Sequence, residues 1–388
     1  MKTTTYKPVN IAVVGCGYWG PNLIRNFRSL QNCDVKVICD LDVKRLNHLK
    51  SLYPSVETST NFDEVVGRDD IDAVIIATSV HTHYRMAKQC LLAGKHTFIE
   101  KPMARSTAEC EELIELADAA GLTLMVGHTF LYSSPVRRIR EIIDRGDIGD
   151  IRYISARRLN LGLFQRDINV AWDLAPHDIS VILYVLGELP QTVNCQGNCH
   201  VTRDIQDVTT MCLGFRKRVF ACVQNSWLDP RKVREMTIVG SRRMIVYDDV
   251  QPIEKIRIYD MRVETPPHYD TFAEFQYSYH YGDSYIPFVQ QEEPLKVEAQ
   301  HFLECIRTGN TPITDGRHGL EVVRVLEASS QSLKENGGSV TLQSRDERFA
   351  AAAISGNGNG HGSTNGNGNG NGNGHALPAK PPTQLVPA

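Results

Sequence analysis

The amino-acid sequence predicts a mixed α/β protein: an N-terminal doubly wound parallel sheet, then a domain built on an open, mostly antiparallel sheet. Two observations lead to this prediction. Up to Gly127, short apolar runs alternate with segments of helical periodicity, as in parallel strands joined by crossover helices. Beyond Gly127, several strand-like runs follow one another with little helix between them, which is typical of antiparallel pairing.

The N-terminal sheet begins with a strand, a glycine-rich turn and a helix. Residues 11–14 are apolar and mostly β-branched, and residues 15–20 (Gly-Cys-Gly-Tyr-Trp-Gly) follow at once. In such a turn Gly15 permits the tight exit from the strand, and Gly17 lets the backbone approach a pyrophosphate. Gly20 lets the following helix pack against the strand. The pattern predicts a dinucleotide-binding, or Rossmann, domain.

A second apolar run, residues 35–39, ends in Asp40, twenty positions after Gly20. A carboxylate at the tip of this strand can accept hydrogen bonds from both hydroxyls of an adenosine ribose, and it repels the extra phosphate of NADP. We therefore expect NAD as the cofactor and expect Asp40 to disfavour NADP. Arg45 lies close by in sequence, so mixed cofactor use stays open.

The alternation continues to the end of the first half. Helical spacing is found at residues 43–52, 62–66, 83–94 and 106–120, and buried strand-like runs are found at 72–78, 97–99 and 122–126. Ser106 can cap the last of these helices, with Glu109 at capping-box distance, and Gly121 ends it. Strands that alternate with helices predict a parallel sheet with helices on both faces.

Candidate strands dominate the second half. They cover residues 151–161, 192–201, 208–215, 219–227, 236–239 and 244–247, and helical patterns cover 136–144, 172–186, 295–306 and 319–333. The tyrosine-rich stretch 251–289 is assigned to no element. Neighbouring strands without crossover helices predict an antiparallel sheet.

Composition limits the class of protein and its partners. The chain has 388 residues, of which 41% are hydrophobic and 22% charged, and its net charge is −3. These values are typical of a globular protein and give no reason to expect nucleic acid or an anionic membrane as a partner. The start of the chain lacks the apolar core of a signal peptide, and no apolar run is long enough to span a bilayer. We therefore expect a cytoplasmic protein.

We expect three regions along the chain. Residues 1–127 form the dinucleotide-binding domain, and residues 128–345 form an α+β domain for substrate binding and oligomerisation. Residues 346–388 form a tail rich in glycine and asparagine, which cannot bury a core and is expected to be disordered. The open sheet of the second domain would leave a face exposed, which predicts a homodimer or homotetramer.

The ten cysteines are scattered, and several lie within apolar runs, as expected for buried thiols. Cys195 and the pair Cys199-His200 form the only cluster that resembles a metal site. No second ligand pair follows at zinc-site spacing, so we expect no metal centre.

Five segments of the chain resemble the glucose–fructose oxidoreductase / inositol dehydrogenase / MocA family. They are residues 15–20, 72–78, 93–96 (Ala-Gly-Lys-His), 100–102 (Glu-Lys-Pro) and 173–177 (Asp-Leu-Ala-Pro-His). The resemblance runs from about residue 9 to residue 343. It implies a Rossmann domain, then a large open sheet, and a nicotinamide-dependent oxidoreductase activity.

Lys101 is the first candidate catalytic residue. It comes just after a strand, where ligands bind in parallel α/β sheets, and a lysine there can hydrogen-bond the reacting hydroxyl and contact the cofactor. From the residues alone, Glu100-Lys101-Pro102 could equally end a strand with a solvated lysine. The resemblance favours the catalytic role, and it implies a cis Lys101–Pro102 bond.

Asp173 and His177 are the other catalytic candidates. A spacing of four puts them on one face of a helix. His177 suits a general base, and Asp173 can raise its pKa or bind a second substrate hydroxyl. The alternative is that Asp173 caps a helix with Pro176 in its first turn and that His177 is packed. The resemblance favours His177 as the base, although Lys101 remains a second candidate for the proton acceptor.

The remaining site predictions concern cofactor and substrate contacts. The predicted cofactor contacts are Gly15, Gly17, Tyr18, Trp19, Gly20, Asp40, Thr78, His83, Glu100 and Lys101, and the predicted substrate contacts are Lys101, Arg157, Asn160, Asp173 and His177. Trp19 could instead pack in the core, and His83 could lie at the surface. Arginines suit a substrate with phosphate or carboxylate, but scattered surface charge explains Arg157 equally well.

Residues 169–178 look more like the family branch that acts on nucleotide-linked sugars than the inositol branch. That branch is similar to UDP-N-acetylglucosaminuronate dehydrogenases, which oxidise a ring hydroxyl. We therefore expect a small-molecule substrate of this kind. The alternatives are a dehydrogenase of free sugars or inositol, an NAD-dependent glycosidase, and a non-catalytic dinucleotide-sensing regulator on the same fold. The joint presence of Lys101, Asp173 and His177 favours catalysis.

Overall fold

The structure is a computed structural model that describes residues 7–264 and 278–342. It confirms the predicted class, because a parallel six-stranded sheet is followed by a mostly antiparallel nine-stranded one. The expected tail, residues 346–388, lies outside the described residues. In the described part, no helix combines the length and the apolar character needed to cross a membrane.

The first sheet consists of β1 (Val9–Val14), β2 (Cys33–Cys39), β3 (Glu57–Ser59), β4 (Ala73–Ile76), β5 (His96–Glu100) and β6 (Leu124–Gly127). Its helices are α1 (Gly20–Arg28), α2 (Val43–Leu52), α3 (Phe62–Val66), α4 (Val80–Leu92) and α5 (Thr107–Ala120). The strand order is β3-β2-β1-β4-β5-β6. The order reverses at β1, and ligands of such sheets bind beyond the carboxyl ends of the strands at this point.

Most elements of this half form where the sequence predicts them. Ser106 Oγ accepts a hydrogen bond from the Glu109 N–H (3.2 Å) and so caps α5. Gly121 ends α5 in the left-handed conformation, as predicted. The helix predicted from residue 83 begins earlier, at Val80, and the sequence analysis missed β3 because three residues are too few to show a period.

The second sheet consists of β7 (Ile151–Leu161), β8 (Thr192–Asn198), β9 (Val208–Gly214), β10 (Phe220–Ser226), β11 (Leu228–Gly240), β12 (Met244–Asp248), β13 (Ile256–Glu264), β14 (Ser278–Tyr285) and β15 (Val340–Thr341). Its helices are α6 (Ser134–Asp144), α7 (Val170–Leu186), α8 (Pro294–Thr308) and α9 (Gly316–Lys334). The strand order is β14-β13-β12-β11-β7-β10-β9-β8-β15, and β7 and β10 pair in parallel.

Four strands of this sheet differ from the sequence prediction, and one of them is the two-residue β15, which the sequence analysis missed. The unassigned tyrosine-rich stretch contains β13 and β14, and β11 is longer than the run 236–239 that predicted it. The first half of β11 carries Pro230 and charged residues around a shift in register, which hides its strand period.

The two faces of the second sheet differ in burial. On β7 and β10, alternate residues such as Ile154, Ala156 and Val223 are almost fully buried against α7. The residues between them, including Tyr153 and Phe220, lie on the opposite face and are 38% and 47% exposed. This period of two decides which polar side chains can reach α7.

The last two helices return to the first sheet. Phe302 of α8 packs edge-to-face against Phe27 and Phe98 of the N-terminal half, with ring centroids 6.3 and 5.7 Å apart. The Val126 N–H donates to the Thr314 carbonyl just before α9 (2.8 Å). α9 also packs on α7, and Lys101 Nζ donates to the Asp173 carbonyl oxygen (2.8 Å), so the start of α7 lies beyond the carboxyl end of β5.

Candidate functional site

The glycine-rich turn after β1 has the geometry of a phosphate cradle. Gly15 has φ +94°, and a Cβ there would lie 2.6 Å from the Ala77 carbonyl oxygen. A Cβ on Gly20 would lie 2.0 Å from the Gly15 carbonyl oxygen, whereas one on Gly17 would meet only Arg45 Nη1, at 3.9 Å. Packing therefore requires Gly15 and Gly20, and the side of the turn at Gly17 is open. No side chain in the described residues caps the N-terminus of α1.

Asp40 ties this turn to the tip of β2. Its Oδ2 accepts a hydrogen bond from the Cys16 N–H (2.6 Å), and its Oδ1 accepts one from the Asp42 N–H (2.8 Å). Arg45 Nη1 lies 3.6 Å from Oδ2. Tyr18 and Trp19 on the turn are exposed and pack edge-to-face. Trp19 is therefore not part of the hydrophobic core, and both rings are accessible beside the cradle.

His83 is buried between two backbone carbonyls. Its Nδ1 lies 2.9 Å from the Pro102 oxygen and its Nε2 lies 3.1 Å from the Thr78 oxygen. Burial lowers the pKa of His83. The side chain joins the end of β4 to the turn after β5, and both ring nitrogens face protein atoms. Direct cofactor contact by His83 stays a prediction, and the geometry favours a role in positioning Thr78 and Lys101.

Lys101 points from the end of β5 to the start of α7. The Lys101–Pro102 bond is cis, as the resemblance implies. Lys101 Nζ donates to the Asp173 carbonyl oxygen (2.8 Å) and lies 3.7 Å from Asp173 Oδ1, with only 12% of the side chain exposed. The solvated-lysine alternative does not describe this arrangement. Asp173 Oδ2 accepts a further hydrogen bond from Trp227 Nε1 (3.0 Å).

His177 lies one helical turn after Asp173. The N-cap of α7 is Asn169, whose Oδ1 accepts from the Trp172 N–H (3.1 Å), so Asp173 is not the capping residue. The His177 ring packs against Phe130 with centroids 5.0 Å apart, and its buried Nδ1 has no partner among the described residues. Burial, followed by the positive charge of Lys101, holds the pKa of His177 well below its usual value.

Glu100 is buried directly before Lys101. Its Oε2 accepts the Lys101 N–H (3.3 Å), and a Cβ on Gly127 would lie 3.2 Å from the carboxyl group. Burial raises the pKa of Glu100 to about 7. The side chain packs against the end of β6, and its contact with the cofactor stays a prediction.

The two predicted substrate contacts on β7 lie on different faces of the strand. Arg157 lies on the face of β7 turned away from α7, because side chains alternate along a strand. Its neighbour Arg158 is buried instead and forms a bidentate ion pair with Asp178 of α7, at 2.8 and 2.9 Å. Asn160 lies near Trp227, since its Nδ2 and the Trp227 ring both crowd Gly162. This geometry favours Asn160 over Arg157, and substrate contact by either residue stays a prediction.

Sequence reasoning missed two residues of this site, Trp227 and Phe130, and it considered Arg158 only among the arginines that could contact a charged substrate group. Trp227 holds Asp173, Phe130 packs against His177, and the Arg158 guanidinium lies 4.6 Å from the centre of the Phe130 ring. The strand period could have placed Arg158 on the face of Ile154 and Ala156. Nothing in the sequence pairs Trp227 with Asp173, which lies 54 residues away.

Family models match two parts of the chain. The model for the oxidoreductase family with an NAD-binding Rossmann fold (GFO/IDH/MocA) matches residues 9–128. The model for the GFO/IDH/MocA C-terminal domain matches residues 136–246. Together the two matches cover more than half of the chain.

Relatives and solved structures agree with these matches. The myo-inositol 2-dehydrogenase of Thermotoga maritima is 23% identical over 84% of this chain and 97% of its own length. The D-apiose dehydrogenase of Paraburkholderia graminis is 22% identical over 88% of this chain and 92% of its own length. Similar folds include the UDP-N-acetylglucosamine 3-dehydrogenase GnnA of Acidithiobacillus ferrooxidans (TM-score 0.70, 22% identity, 85% of this chain and 99% of that one). Another is GenD2 from gentamicin A biosynthesis, solved in complex with NAD (TM-score 0.74, 19% identity, 88% of this chain and 98% of that one).

Proposed function

This chain belongs to the GFO/IDH/MocA oxidoreductase family, and we propose that it is an NAD-dependent dehydrogenase acting on a ring secondary hydroxyl of a nucleotide-linked sugar. The observation that carries the catalytic part is the convergence of Lys101, Asp173 and His177 beyond the carboxyl end of β5. A UDP-N-acetyl-hexosaminuronate is the substrate type that we favour.

The cofactor assignment is supported by the fit of the first domain to a dinucleotide. The open side of the turn at Gly17 and the uncapped start of α1 suit a pyrophosphate. Asp40 retains lone pairs for a ribose and places negative charge where NADP carries its extra phosphate. Bound NAD would supply the hydride acceptor.

We assign His177 as the base that accepts the proton of the substrate hydroxyl. Its lowered pKa keeps the imidazole neutral, so one ring nitrogen can accept the proton of the substrate hydroxyl. An ammonium group at Lys101 has only donors, and it can stabilise the negative charge that develops on the oxygen. Asp173 fixes Lys101 through its carbonyl and carboxylate, so it acts as a positioning residue with room for a substrate hydroxyl.

The pH dependence follows from the depressed pKa of His177. A base must be neutral to work, and a pKa well below 6.5 keeps His177 neutral across the neutral range. Oxidation measured as kcat/KM should therefore show no loss near pH 6.5, where an ordinary histidine becomes protonated. A pH–rate profile between about pH 8 and pH 5.5 checks this. A fall in kcat/KM centred at pH 6.5 would contradict it.

Cofactor preference can be tested at Asp40. The Asp40→Asn substitution removes the charge and should weaken NAD binding about tenfold, as expected for a hydrogen bond to a charged group. NADP binding should weaken less or improve, because the repulsion is lost. Titration of both nucleotides measures the preference. Asp42→Asn, which alters the other carboxylate near Arg45, is the matched control and should leave the preference for NAD over NADP unchanged.

A cationic rim supports a substrate that carries phosphate. We use this name for Arg166, before α7, and for Arg231 and Lys232, on the irregular part of β11. All three are exposed, and none has an ion-pair or hydrogen-bond partner among the described residues. Both segments adjoin Trp227 and the end of β7. Unpaired cations at this place suit a diphosphate.

Neutralising the rim tests the substrate assignment. The triple variant with glutamine at all three rim positions should raise KM for a nucleotide-linked sugar about tenfold or more, with kcat nearly unchanged, since hydrogen bonds to charged groups are lost. The control is the same change at Arg216, Lys217 and Arg218, which lie at the opposite end of β10. Equal effects in both triple variants would contradict a specific role for the rim.

A free polyol or inositol is the second candidate substrate. The observation that favours it is the similarity to myo-inositol 2-dehydrogenase over nearly the whole of that relative. A free polyol carries no phosphate, so its KM should not respond to neutralisation of the rim.

We also propose that the protein forms a homodimer or homotetramer. The outer face of the second sheet carries the stacked, exposed pair Tyr153 and Phe220, with ring centroids 5.6 Å apart. A second copy of the chain is the partner that such a face suits. Light scattering of the purified protein measures the mass of the assembly.

A further inference from the structure

Residues 162–169, here called the strap, connect β7 to α7 beside the candidate active site. At its start, the Gly162 N–H donates to the Trp227 carbonyl oxygen (3.0 Å), and the Phe164 ring packs against the Trp227 indole, with centroids 5.5 Å apart. At its end, Asn169 caps α7 and donates from Nδ2 to Gln206 Oε1 (3.0 Å). Both ends of the strap are therefore fixed to the second domain.

The middle of the strap is held by the first domain. His81 Nε2 lies 2.9 Å from Asp167 Oδ2, and the two side chains are 35% and 38% exposed. His81 belongs to the first turn of α4, just after Thr78 at the carboxyl end of β4. The pair therefore joins the start of α4, in the first domain, to the strap.

These contacts close a circuit around the site. In the strap, Phe164 packs against Trp227, and the Trp227 indole donates a hydrogen bond to the Asp173 carboxylate. The Asp173 carbonyl oxygen in turn accepts a hydrogen bond from Lys101. Next to Lys101, the Pro102 carbonyl is hydrogen-bonded to the His83 ring, which also contacts the Thr78 carbonyl just before α4. The His81–Asp167 pair completes the circuit. A ligand at Lys101 would be enclosed on this side by the strap.

We propose that His81 and Asp167 are positioning residues that hold the strap across the site, and that their contact must open for ligands to exchange. The half-exposed pair is the weakest link in the circuit, because the other contacts involve buried side chains or the backbone. The statement about turnover rests on the proposed function, whereas the statements about strap mobility and cofactor exchange do not.

The first test uses His81→Gln, Asp167→Asn and the double variant, without any sugar. Hydrogen exchange followed by mass spectrometry should show faster exchange of the strap amides in all three. Dissociation of NADH, followed by nucleotide fluorescence, should accelerate about two- to fivefold, the range for a partly exposed polar contact between two side chains. The double variant should match the single variants, because either substitution breaks the same contact.

The control is His280→Gln. His280 forms a similarly exposed pair with Asp260 (3.5 Å), on strands β13 and β14 at the edge of the second sheet. It should change neither NADH dissociation nor strap exchange. Unchanged NADH dissociation in the three strap variants, or strictly additive effects in the double variant, would overturn the proposal.

A charge-swapped variant, His81→Asp with Asp167→His, separates the contact from the residues themselves. It should restore slow NADH dissociation towards the wild-type rate, and failure to do so would count against the contact. With a turned-over sugar, the single variants should raise KM with kcat unchanged or increased. If the strap responds but no sugar is oxidised, the proposed function fails and the strap assignment stands.

Discussion

Replacing Lys101 with methionine should lower kcat about a thousandfold, the effect expected when a group that stabilises developing negative charge is removed. Methionine keeps the length of the side chain and removes the cation that lies 2.8 Å from the Asp173 carbonyl. The glycine-rich turn and Asp40 are untouched, so NADH binding should change less than tenfold, the loss expected for one hydrogen bond to a charged group. Steady-state kinetics and NADH titration on the same preparation measure both quantities.

The controls separate catalysis from a change in the fold. Lys36→Met, on the exposed part of β2, removes a lysine far from the site and should leave kcat unchanged. His177→Ala should also abolish turnover and spare NADH binding, since it removes the proposed proton acceptor. Normal turnover in both Lys101→Met and His177→Ala would contradict the catalytic assignment.

Asp178→Ala should lower the free energy of unfolding by about 3–5 kcal/mol, because it leaves the Arg158 guanidinium buried without its partner. The two side chains are 6% and 8% exposed and are joined by two hydrogen bonds. Since Arg158 packs on Phe130, and Phe130 packs on His177, activity should fall as well. Urea unfolding of the holoprotein measures the change in stability.

The comparison for this prediction is an exposed ion pair. Glu141→Ala on α6 breaks the pair with Arg138 (2.8 Å), whose side chains are 33% and 60% exposed, and should cost less than about 1 kcal/mol. Similar losses in Asp178→Ala and Glu141→Ala would mean that the Arg158–Asp178 pair is not isolated from water as the structure has it.

Features that depend on neighbouring residues could be predicted from the sequence. The glycine-rich turn is such a case, because φ +94° at Gly15 and the close approach at Gly20 are requirements of one short loop. The cap of α5 by Ser106 is another, since both partners lie within four residues. The fold class followed from the same kind of local pattern, summed over many elements.

Features that depend on the pairing of distant strands could not be predicted in this way. The strand period of β7 puts Arg158, and not Arg157, on the face of Ile154 and Ala156, but only the assembled sheet shows that α7 covers this face and that Asp178 pairs with Arg158. The contact of Trp227 with Asp173 depends on the parallel pairing of β7 and β10 and on the position of α7. Both are consequences of the assembled sheet.

The most direct test of the proposed function is nicotinamide reduction by the wild-type protein, followed by absorbance, with NAD and a panel of sugars. The panel contains UDP-N-acetylglucosaminuronate, other nucleotide-linked sugars, myo-inositol and glucose. We expect turnover with a nucleotide-linked sugar and none with the free compounds. Turnover confined to myo-inositol or glucose would contradict the substrate assignment, and no turnover with any sugar despite NADH binding would contradict the dehydrogenase assignment itself.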